Sequence, residues 1–219
     1  SVVEAANKRE SVKADLLIRN GTVVTLGINN DVIADGAIAI RNGLIIGIGT
    51  SSALGKEYVA QRTIEARGQV IMPGLVNSHT HIAAPVFRGY IEDREDALYN
   101  IAFPVEELLS PSDIYTLSLL GCLEVLRFGT TCINDIFHHS EKAAQAANEV
   151  GLRAVVAHKV ADIKLSEIGS GVYRHVPDEG EERMNANLQL IENWHGKSNG
   201  RITCRIGTHA TDTCTPELL

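Results

Sequence analysis

The chain has 219 residues, of which 44% are hydrophobic and 21% are charged, as is usual for a globular protein. Its formal net charge of −7 argues against nucleic acid and against anionic membranes as partners. The sequence holds no apolar stretch as long as a transmembrane helix, and its first residues lack the apolar core of a secretory signal. We therefore expect a cytoplasmic protein.

A β-rich segment follows a largely polar start. We expect residues 1–13 to form a flexible N-terminal arm and residues 14–69 to form part of a small β-sandwich domain. Asn20-Gly21 and Asn42-Gly43 each lie between runs of β-forming residues, and Asn-Gly in that position is a strong signal for a tight hairpin. The sequence therefore predicts a hairpin at each site.

From residue 70 onward the pattern changes to alternating strands and helices. The predicted strands are residues 70–76, 130–135, 153–158 and 202–208, and the predicted helices are residues 112–127, 140–150 and 181–194. This alternation is typical of an α/β fold with a parallel sheet, and four such units make half of an eight-stranded barrel. The chain ends where the helix after the fourth strand should begin. We therefore expect residues 70–219 to be the first half of a (β/α)8 barrel, completed by the same chain or a companion chain.

Two histidines at the end of the first of these strands are the candidate metal ligands. His79 and His81 are separated by one residue, and side chains at i and i+2 of an extended chain point to the same face. Neutral imidazole suits zinc, and also iron or nickel. The alternative is a pair of solvated loop histidines, but the apolar strand that enters through Met72-Pro73-Gly74 favours the ligands. Asp135 ends the second strand, either on the catalytic face or as a structural hydrogen-bond acceptor.

The four cysteines give no sign of a structural zinc site. They are Cys122, Cys132, Cys204 and Cys214, and none forms a Cys-x2-Cys pair. We expect them to be buried thiols of a cytosolic protein.

Several motifs together resemble the amidohydrolase superfamily. They are Met72-Pro73-Gly74-Leu75-Val76-Asn77-Ser78-His79-Thr80-His81, Arg88-Gly89, Pro104-Val105-Glu106, Phe128-Gly129-Thr130-Thr131, Gly151-Leu152-Arg153-Ala154 and His209-Ala210-Thr211-Asp212-Thr213-Cys214. Within that superfamily the chain is most similar to the branch of methylthioadenosine/S-adenosylhomocysteine deaminases and atrazine chlorohydrolase-like s-triazine hydrolases. The resemblance covers nearly the whole chain but only the N-terminal half of such an enzyme.

The resemblance implies a metal-dependent barrel in which His79 and His81 bind one divalent metal, zinc by preference. It also implies that the remaining ligands and the proton-shuttling glutamate come from later strands, so we expect no catalytic residue within these 219 residues. His138 and Glu141 have the spacing of the family's His-x-x-Glu motif but follow the second strand, which is too early. We interpret Glu141 as a first-turn helix acid, and His138 and His139 as loop or pocket-wall groups.

Glu106, His209, Arg183 and His158 are the substrate-binding candidates that the resemblance implies. In nucleoside-deaminating relatives, a glutamate at the position of Glu106 accepts hydrogen bonds from ribose hydroxyls, and a histidine at that of His209 contacts the ring or ribose. Arg183 matches an arginine that helps bind the homocysteine carboxylate, but a second arginine of that site is His158 here, which puts an amino-acid tail in doubt. The alternatives are a solvated acidic pair of Glu106 with Glu107, a structural His209 and an exposed Arg183.

The sequence thus predicts an enzyme, a hydrolase acting on non-peptide C–N bonds. We expect metal-activated water to deaminate an aminated heterocycle, most of all an adenosine-type nucleoside such as methylthioadenosine or S-adenosylhomocysteine. Two alternatives stay open: an s-triazine or chlorohydrolase-type heterocycle hydrolase, and a non-catalytic half-barrel subunit that needs a partner chain. Besides the small-molecule substrate and the other half of the barrel, we expect a homo-oligomer and neither nucleic acid nor a membrane as partner.

Overall fold

The structure is a computed structural model and describes residues 11–219. Contacts divide the chain into two compact units, which meet in sequence between Pro73 and Gly74. Of the predicted flexible arm, residues 1–10 lie outside the described residues, whereas Val12 and Lys13 already belong to the first strand.

The first unit is built on a five-stranded mixed sheet. Its elements are β1 (Val12–Val24), β2 (Val32–Arg41), β3 (Leu44–Thr50), α1 (Ser51–Glu57), β4 (Tyr58–Glu65) and β5 (Val70–Ile71). The order is β3-β2-β1-β4, with β5 also pairing with β1. The β1–β2 and β2–β3 pairs are antiparallel, and β4 and β5 run parallel to β1. Within residues 14–69 the strands belong to this one sheet, so the sandwich predicted for residues 14–69 stays a prediction.

The hairpin predicted at Asn42-Gly43 is present, whereas the prediction of a hairpin at Asn20-Gly21 is wrong. Asn42 and Gly43 both have positive φ, at 53° and 74°, and join β2 to β3 as a tight turn. At Asn20-Gly21, by contrast, β1 continues unbroken, and its register against β2 shifts on both sides of Gly21. Asn20 has φ 61°, the left-handed backbone conformation that Asn tolerates well. Here this conformation forms a β-bulge within β1 instead of a turn between two strands.

The second unit is a half-barrel of four parallel strands in sequential order. Its strands are β6 (Leu75–Thr80), β7 (Thr130–Phe137), β8 (Arg153–His158) and β9 (Ile202–Cys204). Its helices are α2 (Phe103–Glu106), α3 (Pro111–Arg127), α4 (Ser140–Val150), α5 (Pro177–Trp194) and the short turn α6 (Lys197–Gly200). The predicted α/β class and the partial barrel are confirmed, and α3 and α4 begin and end within one residue of their predicted bounds.

The first and fourth barrel strands differ from the prediction. Residues 70–76 were expected to form one strand, but Val70 and Ile71 pair with β1, and β6 begins at Leu75. Pro73 lacks an N–H for a sheet ladder, and a Cβ on Gly74 would lie 2.2 Å from the Thr131 side chain, so this segment passes close to β7. The fourth strand was predicted for residues 202–208, but regular strand pairing ends at Cys204. Beyond it, Thr208 makes an isolated bridge to Val160.

The core of the second unit lies between the sheet and helices α3 to α5. Its fully buried members include Cys122, Ala144, Ala154, Leu190 and Ile202. Helix α3 is fixed at its start by a capping box in which the Ser110 hydroxyl accepts from the Asp113 N–H while the Asp113 carboxylate accepts from the Ser110 N–H. Within residues 11–219, no helix is both long and apolar enough to cross a membrane.

Candidate active site

His79 and His81 come together at the carboxyl end of β6, as predicted from their spacing. Their ring centroids are 5.3 Å apart and the rings are nearly perpendicular. The Nδ1 of His81 lies 2.7 Å from the carbonyl oxygen of Ile136, on the neighbouring strand. In the tautomer that donates this hydrogen bond, Nε2 keeps its lone pair for a ligand. Burial lowers the pKa of His81, which favours the neutral imidazole that a metal requires.

Asp135 fixes the segment that follows His81. Its Oδ1 accepts a hydrogen bond of 2.6 Å from the backbone N–H of Ile82, and the side chain is fully buried. Burial raises the pKa of Asp135 to about 7. Its Oδ2 finds no hydrogen-bond partner in residues 11–219. Asp135 thus acts as a structural hydrogen-bond acceptor through Oδ1, and its role on the catalytic face stays a prediction.

His209 shares a cavity with the two histidines. The cavity has a volume of about 240 Å³ and is lined by Ser78, His79, His81, Asn134, Ile136, Arg205, Thr208 and His209. The Nδ1 of His209 lies 2.8 Å from the Thr213 hydroxyl, and the ring meets the Phe103 ring edge-on at 5.7 Å between centroids. Burial lowers the pKa of His209 to about 4, so the ring is neutral at pH 7.

Glu106 is buried rather than solvated. Its side chain is 6% exposed, and its Oε2 accepts a hydrogen bond from the ammonium of Lys159. The Nε2 of His138 lies 3.4 Å from the same oxygen, close enough for electrostatic attraction but without hydrogen-bond geometry. Burial opposes ionisation of Glu106, yet His138 and Lys159 together hold the pKa of the carboxyl below its usual value. The alternative of a solvated acidic pair with Glu107 is wrong.

A second cavity, of about 290 Å³, brings Glu106 together with Arg183 and His158. The guanidinium of Arg183 already donates to the Ala161 carbonyl at 2.7 Å and to Glu179 at 2.8 Å. His158 is 8% exposed, and burial, followed by repulsion from nearby cationic groups, lowers its pKa to about 3. Three of the four predicted substrate-binding residues thus line this cavity, and His209 lines the other.

Comparison with known proteins identifies the family of the chain. Residues 70–219 match the Amidohydrolase family. The chain belongs to the amidohydrolase family. The resemblance inferred from the sequence motifs is therefore confirmed.

Relatives of this amidohydrolase include proteins named as deaminases. The chain is 36% identical over 208 residues to a 5'-deoxyadenosine deaminase of Methanosarcina mazei, covering 94% of this chain and 45% of the relative. It is 35% identical to a 5-methylthioadenosine/S-adenosylhomocysteine deaminase of Pelotomaculum thermopropionicum, with the same coverage. A crystal structure of an adenosine deaminase from Xanthomonas campestris with bound zinc superposes with a TM-score of 0.79 at 27% identity, covering 95% of this chain and 46% of that one. The chain spans about 45% of the length of the curated relatives it matches.

The donor set of this amidohydrolase fits part of a metal centre. His79 and His81 offer two ring nitrogens, but residues 11–219 contain no group of three or more histidine, cysteine, aspartate or glutamate side chains placed to hold a metal. Catalytic zinc sites use three or more protein ligands and a water. Among the described residues, the metal-ligand role of His79 and His81 therefore stays a prediction.

Lys159 is the residue that sequence reasoning missed. It follows β8 directly and is 1% exposed, although lysine is among the residues least often buried. Its Nζ lies 4.8 Å from the centroid of the Phe103 ring and 5.5 Å from that of Phe137. The sequence signal is its place in the segment 154–163, which is apolar apart from His158, Lys159 and Asp162.

Proposed function

We propose that this protein is a metal-dependent aminohydrolase that removes an amino group from an adenosine-type nucleoside. The observation that carries the proposal is the pair His79 and His81, with one ring fixed by the Ile136 carbonyl, in a cavity shared with His209. Active sites of barrel enzymes lie at the carboxyl ends of the strands, where this pair is. The names of the relatives support a nucleoside over the s-triazine alternative.

His79 and His81 would hold the metal, for which zinc is the leading candidate, with iron and nickel as alternatives. When bound, such an ion supplies a water that ionises near neutral pH and can attack an amidine-like ring carbon. We place the remaining ligands and the proton shuttle outside these 219 residues. The chain covers about 45% of the length of its relatives, which supports this division. The half-barrel also leaves β6 and β9 as edge strands.

The second cavity would bind the rest of the substrate. There Glu106 is ionised and would accept a hydrogen bond from a substrate hydroxyl, while His209, in the first cavity, would contact the ring or sugar as a neutral group. Arg183 would have to leave Glu179 before it could bind a carboxylate, and His158 is neutral. We therefore rank nucleosides with an uncharged 5' substituent, such as methylthioadenosine, above S-adenosylhomocysteine.

The cellular setting is also part of the proposal. The four cysteines are free thiols, which supports a cytoplasmic protein. The expected homo-oligomer stays a prediction for sedimentation analysis.

The test combines metal analysis with a deaminase assay. His79→Ala and His81→Ala should each lose bound zinc and the release of ammonia from methylthioadenosine, because each removes a ligand that no neighbour replaces. His175→Ala is the matched control, since this exposed histidine contacts Asp162 and lines neither cavity. Full zinc content in either ligand variant would refute the assignment, and zinc binding without ammonia release would refute the deaminase.

A further inference from the structure

Lys159 carries a buried positive charge with an unusual set of neighbours. Its ammonium donates to Glu106, and the rings of Phe103 and Phe137 lie within 4.8 and 5.5 Å of Nζ. An ammonium removed from water needs such compensation, here from one carboxylate and two ring faces. The environment is therefore built around the charge.

Stability alone is a weak reason for this ion pair. Replacement of a buried pair by apolar residues of similar volume is often neutral or even stabilising, because both charges must be desolvated. Glu106 and Lys159 are 6% and 1% exposed, so both are desolvated. A role in recognition would explain why Glu106, the carboxylate of the pair, lines the second cavity while Lys159 is fully buried beside it.

The two carboxylate oxygens of Glu106 have different surroundings. Lys159 binds Oε2, and His138 also lies nearest to Oε2, at 3.4 Å. Among the described residues, no hydrogen bond goes to Oε1. The carboxylate therefore has one oxygen held by the protein and one oxygen left for a ligand.

We propose that Lys159 is a specificity-determining positioning residue, which holds Oε2 of Glu106 so that Oε1 accepts a hydroxyl of the substrate. The inference rests on the proposed function, because it takes Glu106 as the group that meets the sugar. Without Lys159 the carboxylate can turn toward His138, and its preference for a hydroxylated substrate is lost. A purely structural Lys159 would change stability and leave that preference intact.

The experiment compares how tightly the zinc-loaded protein binds adenosine and 2',3'-dideoxyadenosine, which lacks the sugar hydroxyls, from the KM of each in the ammonia-release assay. Wild type should bind adenosine about tenfold or more tightly than the dideoxy compound, as expected for a hydrogen bond to a charged group. Lys159→Met should bind both equally, and Glu106→Gln should do the same. Lys159→Arg keeps the charge and should restore most of the preference. Lys142→Met, on α4, is the control and should bind like wild type.

The possible results separate the role of Lys159 from the proposed function. If Lys159→Met does not fold, Lys159→Leu replaces it, since its shorter side chain also has no donor for Oε2 of Glu106. An unchanged preference in either folded variant overturns the inference. Equal binding of both nucleosides by wild type overturns it too but leaves the deaminase proposal standing. If wild type binds neither nucleoside, the proposed function fails as well.

Discussion

One added methyl group at Gly121 should disturb the site through the segment that follows His81. A Cβ at Gly121 of α3 would lie 2.0 Å from the carbonyl oxygen of Ile82 and 3.1 Å from its carbonyl carbon. Real Cβ atoms essentially never approach closer than 3.0 Å, and here the neighbour is backbone, so no rotamer change can relieve the clash. Gly121→Ala must therefore move α3 or the segment after His81.

The expected cost is a difference of two effects. Gly→Ala in a helix interior gains about 1 kcal/mol of helix propensity, whereas overpacking costs about 1–3 kcal/mol. The upper end of the overpacking range applies, because the backbone N–H of Ile82 donates a 2.6 Å hydrogen bond to Asp135. Ile82 cannot shift without weakening this hydrogen bond. We expect Gly121→Ala to lower the free energy of unfolding by about 2 kcal/mol, and to lower the zinc content because His81 precedes the displaced residue.

Urea denaturation followed by the fluorescence of Trp194 is the assay. Trp194 is the single tryptophan of the chain and packs against the core of the half-barrel, so it reports on the unit that contains Gly121. Thr116→Ala, an exposed position on the same helix, is the control and should stay within about 0.5 kcal/mol of wild type. A Gly121→Ala protein as stable as Thr116→Ala would show that the contact with Ile82 does not constrain this segment.

Two further predictions concern a buried base and a helix cap. The folded pKa of His158, about 3, lies below the usual 6.5, so the stability held above pH 6.5 should fall as pH decreases toward 3, by at most about 1.4 kcal/mol per pH unit. His158→Asn should reduce that slope in urea titrations, and an NMR titration showing a protonated ring at pH 6 would contradict the reasoning. Ser110→Ala should destabilise the half-barrel by about 1 kcal/mol in thermal or urea unfolding, because it removes the cap of α3. Ser110→Thr retains the hydroxyl and should behave like wild type; an equal loss in both would assign the effect to packing.

Several features of this protein follow from residues that are neighbours in the sequence. The spacing of His79 and His81 on an extended chain was enough to predict convergent rings, because strand geometry alone sets their direction. The Asn42-Gly43 turn and the start of α3, at Pro111 against the predicted residue 112, were predictable for the same reason, since left-handed φ and helix capping depend on neighbours in sequence.

Tertiary structure decided the rest. Asn20-Gly21 carries the same local preference as Asn42-Gly43, but partners on both sides of β1 keep the strand continuous, so the preference produces a bulge. Glu106 and Lys159 are 53 residues apart, and only the fold brings the carboxylate and the ammonium into contact, with the rings of Phe103 and Phe137 beside the ammonium. Residue type and spacing identify groups able to do chemistry, but burial and long-range partners set their charge and availability, and these exist only once the chain is folded.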